Sequence, residues 1–352
     1  MNNRLLALID TLTEEHSLSL PDYVYLLENR CEEAAQLLAE RAVKVRKEIY
    51  GTAVFVRGLI EISNICKNDC LYCGIRRSNQ NCDRYRLTKE QILECAQEGY
   101  ALGFRTFVLQ GGEDGYFTDA VLCGIVREIK KIYPECAVTL SMGERSRESY
   151  QRLRQAGADR YLLRHETADR EHYGRLHPEE MSFDRRMQCL HDLREIGYQV
   201  GCGFMVGSPY QTSATLAKDL KLIETFRPDM CGIGPFVPHK NTPFREKPAG
   251  TVELTCYLLS MIRLIHPPVL LPSTTALGTI DPLGREKGIQ AGANVVMPNL
   301  SPVSVRKKYE LYDNKICTGE ESAQCKNCLN QRMLSIGYET VTDRGDIRKI
   351  CG

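Results

Sequence analysis

The chain has no tryptophan, almost no net charge and no long apolar run, and each absence narrows what it does. Its 46 basic and 45 acidic residues leave a formal charge of +1 over 352 residues. That balance gives no electrostatic case for nucleic acid or for an anionic membrane surface. No apolar stretch approaches the roughly 20 residues that span a bilayer. Met1 to Arg4, followed by Asp10 and Glu14, does not read as a signal peptide, so a cytoplasmic protein is expected. No Gly-x-Gly-x-x-Gly opens the first helix that follows a strand, which speaks against an open dinucleotide-binding sheet.

Cysteine, by contrast, is abundant, at 16 residues. In a reducing compartment that points to metal binding, catalysis or small buried hydrophobes. Ten cysteines are scattered singly and read as core fillers, among them Cys31, Cys95, Cys123, Cys189, Cys231 and Cys256. Six fall into two tight sets. The first is Cys66-Lys-Asn-Asp-Cys70-Leu-Tyr-Cys73, with the spacing C-x3-C-x2-C. A cuboidal iron–sulfur cluster has four irons and normally takes four thiolates, so a local set of three leaves one iron open to a small molecule. A zinc site completed from elsewhere and a disulfide framework are the alternatives. Tyr72 precedes the third cysteine and can cover a planar ring beside the cluster. The second set, Cys317-x7-Cys325-x2-Cys328, points to a small iron–sulfur cluster or zinc, its fourth ligand being water, an exogenous group or Cys351.

Periodicity organises the rest. Residues 1–47 read as an N-terminal helical segment, with Leu5, Leu6, Ile9 and Leu12 at helical spacing. From there apolar runs of strand length alternate with amphipathic helices. The strands are expected at Val54–Ile62, Thr106–Gln110, Val138–Ser141, Arg160–Leu163, Gln199–Val206, Met230–Ile233, Val269–Ser273 and Val295–Met297. The helices between them are expected at Lys89–Leu102, Asp119–Ile132, Arg147–Gln155, Asp184–Ile196, Thr215–Phe226 and Leu254–Ile265. This α/β alternation predicts a parallel sheet and, at about eight units, a complete (β/α)8 TIM barrel over 48–303. A C-terminal extension over 304–352 carries the second cysteine set. The first set follows the first strand. Polar punctuation follows the others at Gln110-Gly-Gly-Glu113, Ser141, Arg164-His-Glu166, Thr274-Thr275 and Pro298-Asn299. Barrel enzymes build their sites on that face.

C-x3-C-x-aromatic-C resembles the signature of radical S-adenosylmethionine (SAM) enzymes. The resemblance implies that the SAM amino and carboxylate groups chelate the open iron of a 4Fe–4S cluster. An electron from the cluster then yields methionine and a 5′-deoxyadenosyl radical. Gly112-Glu113 matches the element that holds the methionyl amino group. Ser141, Glu166 and Arg186 would contact SAM, with Arg164 nearby. A carboxylate suits the ammonium or ribose, and a guanidinium suits the carboxylate. His165 reads better as a hydrogen-bonded structural histidine.

Nearly the whole chain is similar to the HydE-type radical SAM maturases of FeFe-hydrogenases. The matching residues are Ile62-Ser-Asn-Ile-Cys66, Cys70-Leu-Tyr-Cys73-Gly-Ile-Arg-Arg77, Arg84-Tyr-Arg86, Tyr161-Leu-Leu-Arg-His-Glu-Thr-Ala168, Gly232-Ile-Gly-Pro-Phe236, Thr274-Thr-Ala276 and Val296-Met-Pro-Asn299. That family implies action on a cysteine-bound Fe(CO)2(CN) precursor in building the diiron subcluster of the hydrogenase. It also implies other maturases and a reductant such as ferredoxin or flavodoxin as partners. Arg57, Gln110, Thr274, Thr275, Met297 and Tyr309 would line the substrate cavity, and Cys317, Cys325 and Cys328 would hold a peripheral 2Fe–2S cluster. Rival readings are a methylornithine synthase-like mutase, a biotin synthase-like sulfur insertion and a non-catalytic iron–sulfur electron carrier. Cys136 and Cys202 lie near strands, yet strand two has no cysteine, which disfavours sulfur insertion.

Overall fold

A computed structural model of the protein describes residues 1–316 and 326–348. The chain opens with three helices, α1 (Asn3–Glu15), α2 (Leu20–Glu28) and α3 (Glu32–Tyr50). Asn2 caps the first, its side-chain oxygen accepting from the Leu5 N–H at 2.8 Å. Strands and helices then alternate. The strands are β1 (Ala53–Val56), β2 (Gly58–Ser63), β3 (Thr106–Gly111), β4 (Ala137–Ser141), β5 (Arg160–Leu162), β6 (Gln199–Cys202), β7 (Met205–Val206), β8 (Met230–Cys231), β9 (Gly234–Pro235) and β10 (Val295–Val296). The intervening helices are α4 (Lys89–Ala101), α5 (Asp119–Ile132), α6 (Arg147–Gln155), α7 (Arg170–Leu176), α8 (Phe183–Ile196), α9 (Ser213–Phe226), α10 (Val252–Ile265), α11 (Thr275–Ile280) and α12 (Gly284–Gln290). After α13 (Val303–Arg306) the described chain ends with α14 (Lys326–Leu334) and β11 (Glu339–Val341).

Strands β2, β3, β4, β5, β6 and β8 pair in that order, all parallel. The expected strand at Val269–Ser273 is reduced to two parallel bridges, Met230 to Leu270 and Pro272 to Val295. Strand β10 then pairs with β1, and Asn299 bridges Leu59. The circuit of parallel pairings thus returns to the strand where it began, the order of a TIM-barrel-like α/β fold. The expected strand over 199–206 breaks into β6 and β7 at Gly203, whose φ is 150°. A Cβ there would meet the Gly232 carbonyl oxygen at 2.0 Å, so only glycine permits this approach.

Side-chain alternation sorts the strand residues. Along the first strand, Ile60 and Ile62 join the apolar core. Arg57 and Glu61 face the other way, into the lumen. Arg57 reaches across it, with Nη1 2.9 Å from the Met230 sulfur. Helix α10 is buried on nearly every side because α3 packs over its outer face. Beneath the barrel, β11 pairs with β1 and residues 343–347 form a floor. Asp346 accepts from Arg160 Nη2 at 2.5 Å, and the Arg344 and Gly345 carbonyls accept from Arg160 and Arg57. Among the described residues no helix is long and apolar enough to cross a membrane.

Candidate active site

The loop leaving β2 carries all three thiols of the first cysteine set. It is held in shape by its own side chains. Asp69 accepts from Arg76 Nε and Nη2 at 2.8 and 2.7 Å, and from the Ser78 N–H and hydroxyl at 3.0 and 2.7 Å. The Arg76 guanidinium holds its carboxyl far below the usual carboxylate range. Arg84 ties the same loop to carbonyls of Asn64, Ile75, Arg76 and Asn79. The Glu113 N–H donates to Cys66 Sγ at 3.4 Å, and Cys70 Sγ lies 3.6 Å from the Met181 sulfur.

Burial pushes all three thiols up, Cys73 to about 12, and neighbouring thiol charge adds to this at Cys70 (from Cys73 and Cys66) and at Cys73 (from Cys66). Three thiolates therefore need a compensating cation, and bound iron supplies that charge. Among the described residues no three His, Cys, Asp or Glu side chains converge as ligands of a single ion would. Thiolates of a cuboidal cluster each take a different iron and have no need to.

The expected SAM contacts are brought to the same mouth. Gly112 lies against the cluster loop, where a Cβ would meet the Ile65 carbonyl oxygen at 2.3 Å and Cys66 Cβ at 2.8 Å. The neighbouring Glu113 carboxylate is already engaged, by Lys67 Nζ at 3.0 Å and the Glu144 N–H at 3.0 Å. Ser141 ends β4 in register with Gln110. Glu166 is buried with φ of 66°, left-handed backbone that a non-glycine residue adopts at a cost. Its charge raises the thiol pKa values of Cys70 and Cys73, so it faces the cluster position.

Several buried polar atoms here have no hydrogen bond: Glu166 Oε2, Arg164 Nε and Nη2, and Thr274 Oγ1. Glu166 and Arg164 pair only at 3.3 Å, without hydrogen-bond alignment. Orphaned buried carboxylate and guanidinium atoms fit a polar, zwitterionic ligand that completes them. Of the two adjacent arginines, Arg186 is buried and Arg185 exposed. Arg186 donates to Glu144 at 2.5 Å and to the Arg164 carbonyl at 2.6 Å. Burial opposes its charge, yet Tyr173 and Glu144 keep it above the ordinary arginine value. Tyr72 packs with Leu176, Met205 and Phe236, and its hydroxyl sits 3.2 Å from His177 Nε2. His165 is structural as expected: Nε2 pairs with Asp219 at 3.2 Å, and Nδ1 accepts from the Gly203 N–H.

The expected substrate contacts divide by depth. Gln110 donates to the Tyr309 hydroxyl at 3.3 Å, and burial first, then the charge of Glu61, raises the Tyr309 pKa, with smaller contributions from the nearby Cys73 and Cys66. Thr274 caps α11 without a side-chain bond, Thr275 begins that helix, and Met297 packs beside Met230 and Val295. Arg57 lies at the floor, bonded to the Gly345 carbonyl. Of the second cysteine set, Cys317 and Cys325 lie outside the described residues and Cys328 is exposed on α14. Sequence reasoning passed over Glu61 and Lys315, which pair in the lumen beside Tyr309. A charged residue inside an apolar strand run was the available signal for Glu61. Lys315, in the extension, gave none.

The family model of the Radical SAM superfamily matches residues 60–223. The chain is 44% identical over 315 residues to the [FeFe] hydrogenase maturase subunit HydE of Thermotoga maritima, covering 90% of each. The chain belongs to the HydE-type radical SAM maturases. HydE-type membership makes it an enzyme and implies a 4Fe–4S cluster and SAM as its cofactors. It is also 31% identical to 3-methylornithine synthase of Methanosarcina barkeri, over 87% of each chain. The crystal structure of methylornithine synthase superposes with a TM-score of 0.82 at 27% identity, over 95% of this chain and 97% of that one. The fold of the HydE-type chain is thus shared with a methylornithine synthase.

Proposed function

We propose that this hydrogenase maturase acts on a cysteine-bound Fe(CO)2(CN) precursor on the way to the diiron subcluster of the H-cluster. The observation that carries the reading is 44% identity to HydE of Thermotoga maritima in an alignment that covers 90% of both chains, together with three thiols on the loop after the first strand. When bound, the cluster and SAM together supply a 5′-deoxyadenosyl radical by reductive cleavage. The protein's own groups do the holding. Cys66, Cys70 and Cys73 would ligate three irons. Gly112, Glu113, Ser141, Arg164, Glu166 and Arg186 would bind SAM, the orphaned Glu166 and Arg164 atoms taking its ammonium or ribose and its carboxylate. Tyr72 and its apolar neighbours would exclude water. Gln110, Thr274, Thr275, Met297 and Tyr309 would face the substrate, with Arg57 as an anion partner at the floor.

The partners would be the maturase that makes the precursor, the one that takes the product, and a ferredoxin or flavodoxin as reductant. A cytoplasmic setting belongs to the same reading, since the thirteen described cysteines are all free. Cys317, Cys325 and Cys328 would carry the second, 2Fe–2S cluster. In that case Cys328→Ser lowers iron from about six to about four atoms per reconstituted chain.

The deciding experiment is anaerobic. Reconstituted, reduced protein is given SAM with either the iron complex or lysine. The reading requires 5′-deoxyadenosine and an adenosylated product from the iron complex. No SAM cleavage by protein with an intact 4Fe–4S centre, or turnover of lysine instead, overturns it.

A further inference from the structure

The lumen contains a charged pair that neither the cluster loop nor the expected SAM contacts use. Glu61 is level with Gln110 on the neighbouring strand, so the two side chains leave the sheet on the same face. Four residues below on that face, Arg57 touches Met230 on the far side of the barrel, which marks the face as the lumen. Lys315 enters from a strap that crosses the mouth. The strap is tied by the Leu311 carbonyl to the Gly74 N–H at 2.8 Å and by the Ile316 N–H to the Thr279 hydroxyl at 3.4 Å. From it the Lys315 ammonium donates to Glu61 Oε1 and, at 2.9 Å, to the Tyr309 carbonyl. The second Glu61 oxygen accepts from Asn299 Nδ2 at 2.9 Å. Side-chain exposure is 7% for Lys315 and 1% for Glu61.

Burying such a pair gains little stability over apolar residues of the same size, because desolvation offsets the attraction. Its position is informative instead. It lies beside Gln110 and Tyr309, under the thiol-bearing loop. An ammonium has three N–H donors, and the contacts above use two. A ligand that brought one charge would leave a net charge buried. A ligand that brings both signs leaves the site neutral and can exchange partners with the pair.

We propose that the Glu61–Lys315 pair is the subsite for the headgroup of an amino-acid substrate, Glu61 taking its ammonium and Lys315 its carboxylate. This rests on the reading above that the substrate is cysteine-derived. It gives the C-terminal extension a direct part in substrate recognition.

The test uses the reconstituted holoenzyme with SAM bound and titrates three probes calorimetrically. They are S-methyl-L-cysteine, its methyl ester, which lacks the carboxylate, and its N-acetyl derivative, which lacks the ammonium. The wild type should prefer the zwitterion by at least about tenfold over either derivative. Lys315→Met should lose the preference over the ester and keep that over the N-acetyl compound. Glu61→Gln should do the reverse. A merely structural pair would weaken all three probes alike, and that pattern overturns the proposal, as does a wild type that shows no preference. If the single variants do not fold, Glu61→Gln/Lys315→Met, which removes both charges together, should bind the three probes equally; a retained preference for the zwitterion overturns the proposal. Failure of the maturation reading would appear separately, as wild-type protein that leaves the iron complex unchanged.

Discussion

Glu166 shows what one residue contributes and what it costs. Its left-handed backbone is held by the N–H bond to the Gly203 carbonyl at 3.0 Å, and it leaves Oε2 without a hydrogen bond. Strain and an unsatisfied carboxylate at one position fit the proposal that Glu166 meets a ligand. Glu166→Gln removes the charge and keeps the shape. It should weaken SAM binding about tenfold in equilibrium dialysis, the worth of one charge-assisted hydrogen bond. Its melting temperature should stay close to wild type, since the lost charge had only the loose Arg164 contact. Unaltered SAM affinity would remove Glu166 from the site.

The cluster loop is the element on which the site depends, and two features hold it from opposite sides. Asp69 gathers Arg76 and Ser78 within the loop. Asp69→Asn should cost about 1.5–3 kcal/mol, as loss of hydrogen bonds to a charged group does, and should lower iron loading. The pH dependence has a definite sign. Arg76 depresses the native Asp69 pKa below its unfolded value of about 3.9. The stabilisation is therefore fully present above that value and is lost as pH falls through the lower native one. In melts of the apoprotein, the gap between wild type and Asp69→Asn should be constant above about pH 5 and close in stronger acid. Across the mouth, Gly112 lets β3 pass against the loop. Gly112→Ala would drive a methyl into the Ile65 carbonyl and Cys66. Reconstituted iron should fall sharply in that variant, with the far-ultraviolet circular dichroism of the barrel retained.

At the scale of the whole molecule, the C-terminal residues close the barrel from below while the strap over 309–316 crosses it from above. The floor carries real electrostatic weight. Arg160 is fully buried, and burial pushes its pKa down against the pull of Asp346. Asp346→Ala would leave that guanidinium without its carboxylate; the Asp346 side chain is 38% exposed, so solvent screening holds the loss to about 1–3 kcal/mol, below that of a fully buried pair. The variant should melt well below wild type, with the defect much reduced in an Arg160→Met/Asp346→Ala double variant. An unchanged melting temperature for Asp346→Ala would show that the floor is dispensable.

Local chemistry was legible in the chain because it is written in contiguous spacing. C-x3-C-x2-C determined the cluster loop, and apolar runs alternating with amphipathic segments determined the order of strands and helices. Helices α5 and α6 fall where their periodicity places them, since amphipathic faces are local patterns. The strand expected at Val269–Ser273 was over-read, for an apolar run signals burial without fixing which backbone groups will pair. What only the tertiary structure decided are meetings between residues far apart in sequence. Arg57 goes to the floor because residues 343–347 pass beneath it, and Arg186 rather than Arg185 turns inward because of the face α8 presents. Lys315 reaches Glu61 across 254 positions of chain. No local pattern encodes such a contact: closing the barrel brings the two together, and the cost of leaving either charge buried alone keeps them paired.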